Sequence, residues 1–181
     1  MAKHYILVDA DFIDTFAFDF TVLAERELCQ RVKPANLGLW LDCIALDGGL
    51  RPGENEVQVA FLHNKDTEGL KHFLPGNFAK ELDGKAFQDN LGEFVLATCP
   101  VETVVTKADL FVQSMKAWLE TLEDGVLMLV PDMQSYGTQV LQAMAETKGR
   151  IVLFTTEMVA GRGFEQELIS YSVAHALGIT Q

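Results

Sequence analysis

Basic side chains are scarce in this chain. Fourteen Lys and Arg stand against 26 Asp and Glu, a formal net charge of −12 that the two halves share equally. A surface of this sign repels a phosphate backbone and an anionic bilayer, so extended electrostatic binding to nucleic acid or to a membrane is disfavoured. Cysteine is also rare. Cys29, Cys43 and Cys99 are odd in number and sit among apolar neighbours, which argues against a disulfide-built scaffold and for reduced thiols in a cytoplasmic protein. Five prolines and fourteen glycines form no Pro/Gly/Ser-rich linker, so residues 1–181 are expected to make a single domain. No apolar run approaches the roughly 20 residues that span a bilayer. The opening run Tyr5-Ile6-Leu7-Val8 meets acids at positions 9 and 11, too soon for a signal peptide.

What the chain does contain is apolar substance, 49% of its residues, enough for one sizeable core. Short runs rich in β-branched or aromatic residues recur near 4–9, 56–62, 93–98, 125–130 and 150–155. Runs such as Val126-Leu127-Met128-Leu129-Val130 do not alternate with polar residues, as expected of strands covered on both faces. Between them the spacing turns helical. Phe111, Met115, Trp118 and Leu122 fall three and four apart within about 107–122, an amphipathic stripe. Pro34 is placed to open a helix through Leu37, Trp40, Leu41 and Ile44 that stops at Gly48-Gly49. Further helices are expected near 21–32, after a Ser135 cap, and near 163–177 with Phe164, Leu168, Tyr171 and His175 inward. This alternation predicts a three-layer α/β/α domain on a mainly parallel five-stranded sheet. Residues 11–20 and 72–90 carry mixed signals. The first holds Phe12, Phe16, Phe18 and Phe20 among acids, and the second reads as a loop with a short helix, placed to serve as a flap.

In an open parallel sheet, ligands bind at the carboxyl ends of the strands, where strand order reverses. The first strand ends in Asp9-Ala10-Asp11 and the fourth in Val130-Pro131-Asp132, while Asp109 heads the helix after the third. With strand order 3-2-1-4-5, Asp9 and Asp132 meet at the switch point, with Asp109 leaning in and Asp11 assisting. Carboxylates so gathered raise one another's pKa unless a cation or strong hydrogen bonds compensate, and a divalent metal is the simplest compensator. Mg²⁺ or Mn²⁺, which prefer oxygen ligands, would fill that role and activate water for phosphodiester hydrolysis. Each acid also has a plain structural reading: Asp9, Asp11 and Asp132 as turn or helix caps, and Asp109 as a charge on a helix dipole. The histidines 4, 63, 72 and 175 show no metal-ligand spacing, although His63 follows the second strand and is placed near the crevice edge. Ser135 lacks a Gly-x-Ser-x-Gly setting.

The run Ile6-Leu7-Val8-Asp9-Ala10-Asp11-Phe12-Ile13, the element Thr106-Lys107-Ala108-Asp109-Leu110, and Leu129-Val130-Pro131-Asp132-Met133-Gln134-Ser135-Tyr136 followed by Arg150-Ile151-Val152-Leu153-Phe154 resemble, in that order, the NYN branch of the PIN-like ribonucleases. The resemblance covers about residues 4–155. It implies a metal-dependent RNA phosphodiesterase in which Asp9, Asp109 and Asp132 hold the ion and single-stranded RNA is the substrate. Three departures are visible. Phe12 stands where that family commonly has Asn, Met133 and Ser135 fall on two acidic positions, and Lys107 lies one residue nearer Asp109. A catalytically degenerate relative is therefore a second expectation. A non-catalytic protein-binding or homodimeric module acting through Phe16, Phe18 and Phe20 is its alternative. A third reading is nucleotide or phosphometabolite binding at Gly161-Arg162-Gly163 ahead of the last helix.

Overall fold

The computed structural model describes residues 3–179. In chain order the elements are β1 (Lys3–Asp9), α1 (Ala10–Leu28), β2 (Ala35–Asn36), α2 (Leu37–Asp47), β3 (Asn55–Asn64), β4 (Phe73–Leu74), a π-helical turn (Phe78–Leu82), β5 (Ala86–Asp89), β6 (Gly92–Val101), α3 (Lys107–Thr121), β7 (Val126–Val130), α4 (Met133–Ala145), β8 (Arg150–Thr155), β9 (Glu165–Leu168) and α5 (Ile169–Ala176). Seven strands form one mixed sheet in the order β5-β6-β3-β1-β7-β8-β9, and β2 pairs with β4 beside it. The expected five-stranded sheet is thus too small. Its five strands are the central ones, all parallel, and they are extended by antiparallel β5 at one edge and parallel β9 at the other. Strand order reverses between β1 and β7, whose carboxyl ends lie side by side.

Both faces of the sheet are covered, which explains the unbroken apolar runs. Ile6, Val8, Phe61, Met128, Val130 and Phe154 pack with residues of α1, α2 and α5 on one side. Their sequence neighbours Tyr5, Leu7, Leu62, Leu127, Leu129 and Leu153 pack with α3 and α4 on the other. Trp40 is fully buried and its indole N–H donates to Ser172 at 3.1 Å, joining α2 to α5.

Several local expectations are corrected. The ambiguous stretch 11–20 is the first half of α1, with Ile13, Ala17 and Ala24 inward and Asp9 as N-cap; the helix begins eleven residues before the expected 21. Asn36, not Pro34, caps α2. The stretch 72–90 holds a short helix as expected, the π-helical turn Phe78–Leu82, and also the strands β4 and β5, with Phe73, Phe78 and Leu82 buried in the core. The helix expected at 163–177 starts at Ile169, because Glu165–Leu168 is taken by β9. This shift turns Tyr171 outward, to 65% exposure, and buries Ile169, Ser172, Val173 and Ala176 instead. Cys29 is exposed, whereas Cys43 and Cys99 are half-buried, and all three are free thiols. Among the described residues, no helix is long and apolar enough to cross a membrane.

Candidate functional site

The chain passes from β1 directly into α1, and Asp9 stands at that junction with its side chain 1% exposed. As N-cap it accepts the Phe12 N–H at 3.1 Å on Oδ1, satisfying one of the amides a helix start leaves open. Its Oδ2 accepts the Tyr136 hydroxyl from α4 at 2.6 Å. Lys107, the first residue of α3, reaches across the strand ends and places Nζ 3.3 Å from Asp9 Oδ1 and 2.7 Å from Asp11 Oδ2. Asp11 Oδ2 also accepts the Asn64 N–H at 2.7 Å, and its Oδ1 takes the Thr67 hydroxyl at 3.1 Å. One turn further along α1, Asp14 accepts the amides of Lys71 and His72. The acids of early α1 thereby pin the segment that follows β3.

The electrostatics of this cluster follow from its burial. Burial pushes the Asp9 carboxyl above its ordinary range, against the Tyr136 hydroxyl, the Lys107 ammonium and the Phe12 amide, which pull it down. Burial by itself would lower Lys107, but its bonds to Asp11 and the charges of both aspartates overcome that and hold it above its ordinary value. Burial and the Asp9 charge raise Tyr136 as well, so it stays a hydrogen-bond donor. Lys107 and the hydrogen bonds from Phe12, Tyr136, Asn64 and Thr67 together compensate the paired carboxylates.

Beside the cluster lies a cleft of about 460 Å³, with Phe12, Phe16 and Asp19 of α1 on one wall, Asp132 and Met133 on another, and Thr155 at the end of β8. Asp11 and Lys107 reach its floor. The structure thus brings Asp9, Asp11 and Asp132 to the switch point, in unequal roles. Asp132 caps α4, taking the Ser135 N–H at 3.3 Å on Oδ1 and the Ser135 hydroxyl at 2.8 Å on Oδ2. The cap is therefore Asp132, and Ser135 is its partner rather than the cap itself. Asp109 does not join them. It is exposed and lines a separate groove with Lys116, Gln139 and Glu146 between α3 and α4. Two residues on a helix lie about 200° apart, so once Lys107 points into the crevice Asp109 points away from it. Among the described residues, no three His, Cys, Asp or Glu side chains are grouped so as to hold a metal ion. The oxygens of Asp9 already face protein donors, and the donor set does not fit a Mg²⁺ or Mn²⁺ centre built on Asp9, Asp109 and Asp132.

The aromatic residues also divide. Phe12, Phe16 and Phe20 follow one another at four-residue steps along α1, with ring centroids 6.2 and 6.1 Å apart, half-buried against the core. Phe18 lies on a different face, 47% exposed and 5.1 Å from the His72 ring. Phe16, Phe18 and Phe20 therefore do not form one patch. Arg162 is exposed in the loop between β8 and β9, so the helix N-terminus expected behind Gly161-Arg162-Gly163 is absent there. His63 is buried, stacked on Phe78 at 4.0 Å with Nδ1 2.8 Å from the Asn64 carbonyl, and does not line the cleft. Sequence reasoning missed Tyr136 as a site residue, because its place on the apolar stripe of α4 accounts for the ring and says nothing of the hydroxyl. The usable signal was that a buried Tyr hydroxyl needs a polar partner.

A family model described as a family of unknown function (DUF6621) matches residues 1–181, the whole chain. No curated protein and no solved structure matches it.

Proposed function

The chain belongs to DUF6621, a family of unknown function, and we propose that it is a catalytically degenerate PIN/NYN-like domain, a module that binds at its switch-point cleft without hydrolysing. The observation that carries this reading is the placement of Lys107, 2.7 Å from Asp11 and 3.3 Å from Asp9. A protein ammonium bridges Asp9 and Asp11 and supplies positive charge that a metal ion would otherwise bring. The parallel order β6-β3-β1-β7-β8 supports the PIN/NYN-like part, since it is the 3-2-1-4-5 order the resemblance implies. The outward Asp109 and the caps made by Asp9 and Asp132 support the degenerate part. A carboxylate metal site tolerates displacements of only fractions of an ångström.

The test is a cleavage assay on single-stranded RNA with Mg²⁺ or Mn²⁺, comparing the wild type with Asp9→Asn. The expected result is no cleavage above the variant's background. Metal-dependent cleavage that Asp9→Asn abolishes would overturn the proposal.

A further inference from the structure

On the premise that the domain binds at its switch-point cleft without hydrolysing, the lining of that cleft identifies the chemistry of its occupant. We infer that the cleft between α1 and the ends of β7 and β8 is a binding site for a guanidinium group. Charge is the first consideration. Asp11, Asp19 and Asp132 line the cleft, and among the described residues Lys107 is the one cationic side chain there. Lys107 is already shared between Asp9 and Asp11. Among the described residues Asp19 has no ion-pair or hydrogen-bond partner, and Asp132 is met only by Ser135. The space carries unneutralised negative charge, which disfavours a phosphate or nucleotide and favours a cation.

The second observation is independent of the acids. Thr155 lines this cleft and is 2% exposed, and among the described residues its hydroxyl has no hydrogen-bond partner. A buried polar group left unpaired is costly, and an N–H donor entering the cleft would satisfy it. The third is the wall formed by Phe12 and Phe16. Aromatic faces attract organic cations, above all the planar and weakly hydrated guanidinium, which also bonds two carboxylate oxygens at once. A bare divalent ion needs several oxygens converging at short range, and the described residues offer no such group. A guanidinium spreads its donors over a longer span and reads acids, a hydroxyl and a ring face together.

The experiment is an NMR titration of the ¹⁵N-labelled full chain, with agmatine as the free guanidinium and acetyl-Gly-Arg-Gly-amide as the peptide-borne one. Saturable shifts of the Phe16 and Thr155 amides are expected from at least one of them. Tighter binding of the peptide identifies an arginine of a partner protein, and tighter binding of agmatine identifies a small molecule. Asp19→Asn, on an exposed position, and Thr155→Val, which removes an unpartnered hydroxyl, should each weaken that binding about tenfold or more, with melting temperatures at or above wild type. The inference is overturned when neither probe saturates, when spermidine binds equally well and ignores Thr155→Val, or when AMP occupies the cleft instead. A parallel Mn²⁺ arm separates the two levels. Saturable broadening around Asp9 that Asp9→Asn removes would overturn the non-catalytic reading itself. Silence from both guanidinium and Mn²⁺ would overturn only the ligand assignment.

Discussion

At Tyr136 one hydroxyl decides how a buried acid is held. Its 2.6 Å bond to Asp9 ties α4 to the end of β1 inside the protein, where an acceptor deprived of its donor bears the full desolvation penalty. Tyr136→Phe keeps the ring in its contact with Phe111, 5.5 Å away, and removes only that donor. It is expected to cost about 1–3 kcal/mol in denaturant unfolding and to raise the Asp9 carboxyl further. Unchanged stability would mean that the bond does not hold Asp9 in place. Asp11 shows the same logic on the outside of the site. A sequence reading gives it either a catalytic role or a cap on the turn that follows it, and its bonds to Asn64 and Thr67 instead tie it to a remote segment. Those partners lie more than fifty residues away, which no local pattern displays.

At the scale of elements, β1, β7 and β8 were legible because burial on both faces leaves an unbroken apolar run. α3 was legible because its stripe of Phe111 and Met115 repeats at helical spacing. The edge strands were not. β5 and β9 read Ala-Phe-Gln-Asp and Glu-Gln-Glu-Leu, half-exposed segments whose strand character comes from pairing with β6 and β8 rather than from composition. The start of α1 was obscured because phenylalanines on two faces of one helix blur its periodicity. Of the site, the arrival of Asp9 and Asp132 at neighbouring strand ends could be anticipated from strand order, whereas the direction of Asp109 required knowing which face of α3 Lys107 presents. The hairpin joining β5 to β6 supplies a test at this scale. Gly92 holds φ at +133°, and a Cβ there would collide with the Asn55 backbone. Gly92→Ala is therefore expected to destabilise by more than about 2 kcal/mol, read as a lower denaturation midpoint. A midpoint equal to wild type would show that β3 and β6 separate easily at that end.

For the molecule as a whole, the acid excess leaves carboxylates facing one another far from the cleft. Asp42 on α2 faces Asp89 at the end of β5, and burial together with that neighbour moves its carboxyl from 3.8 to about 7. Across that window the folded chain keeps a proton that the unfolded chain has released, so this group's contribution to stability is present at low pH and is lost as pH rises toward 7. Asp42→Asn, which offers Asp89 a permanent donor, should raise the melting temperature at pH 8 by about 2–4 °C, the shift that roughly 1 kcal/mol produces at this size. The gain should shrink toward zero near pH 4; a gain independent of pH would contradict the pairing.

Lys107, rather than a metal ion, supplies the positive charge shared by Asp9 and Asp11. Calorimetric titration of chelator-treated protein with Mn²⁺ tests this most directly. No saturable heat is expected for the wild type and none for Asp9→Asn. One-to-one binding by the wild type that Asp9→Asn abolishes would contradict it.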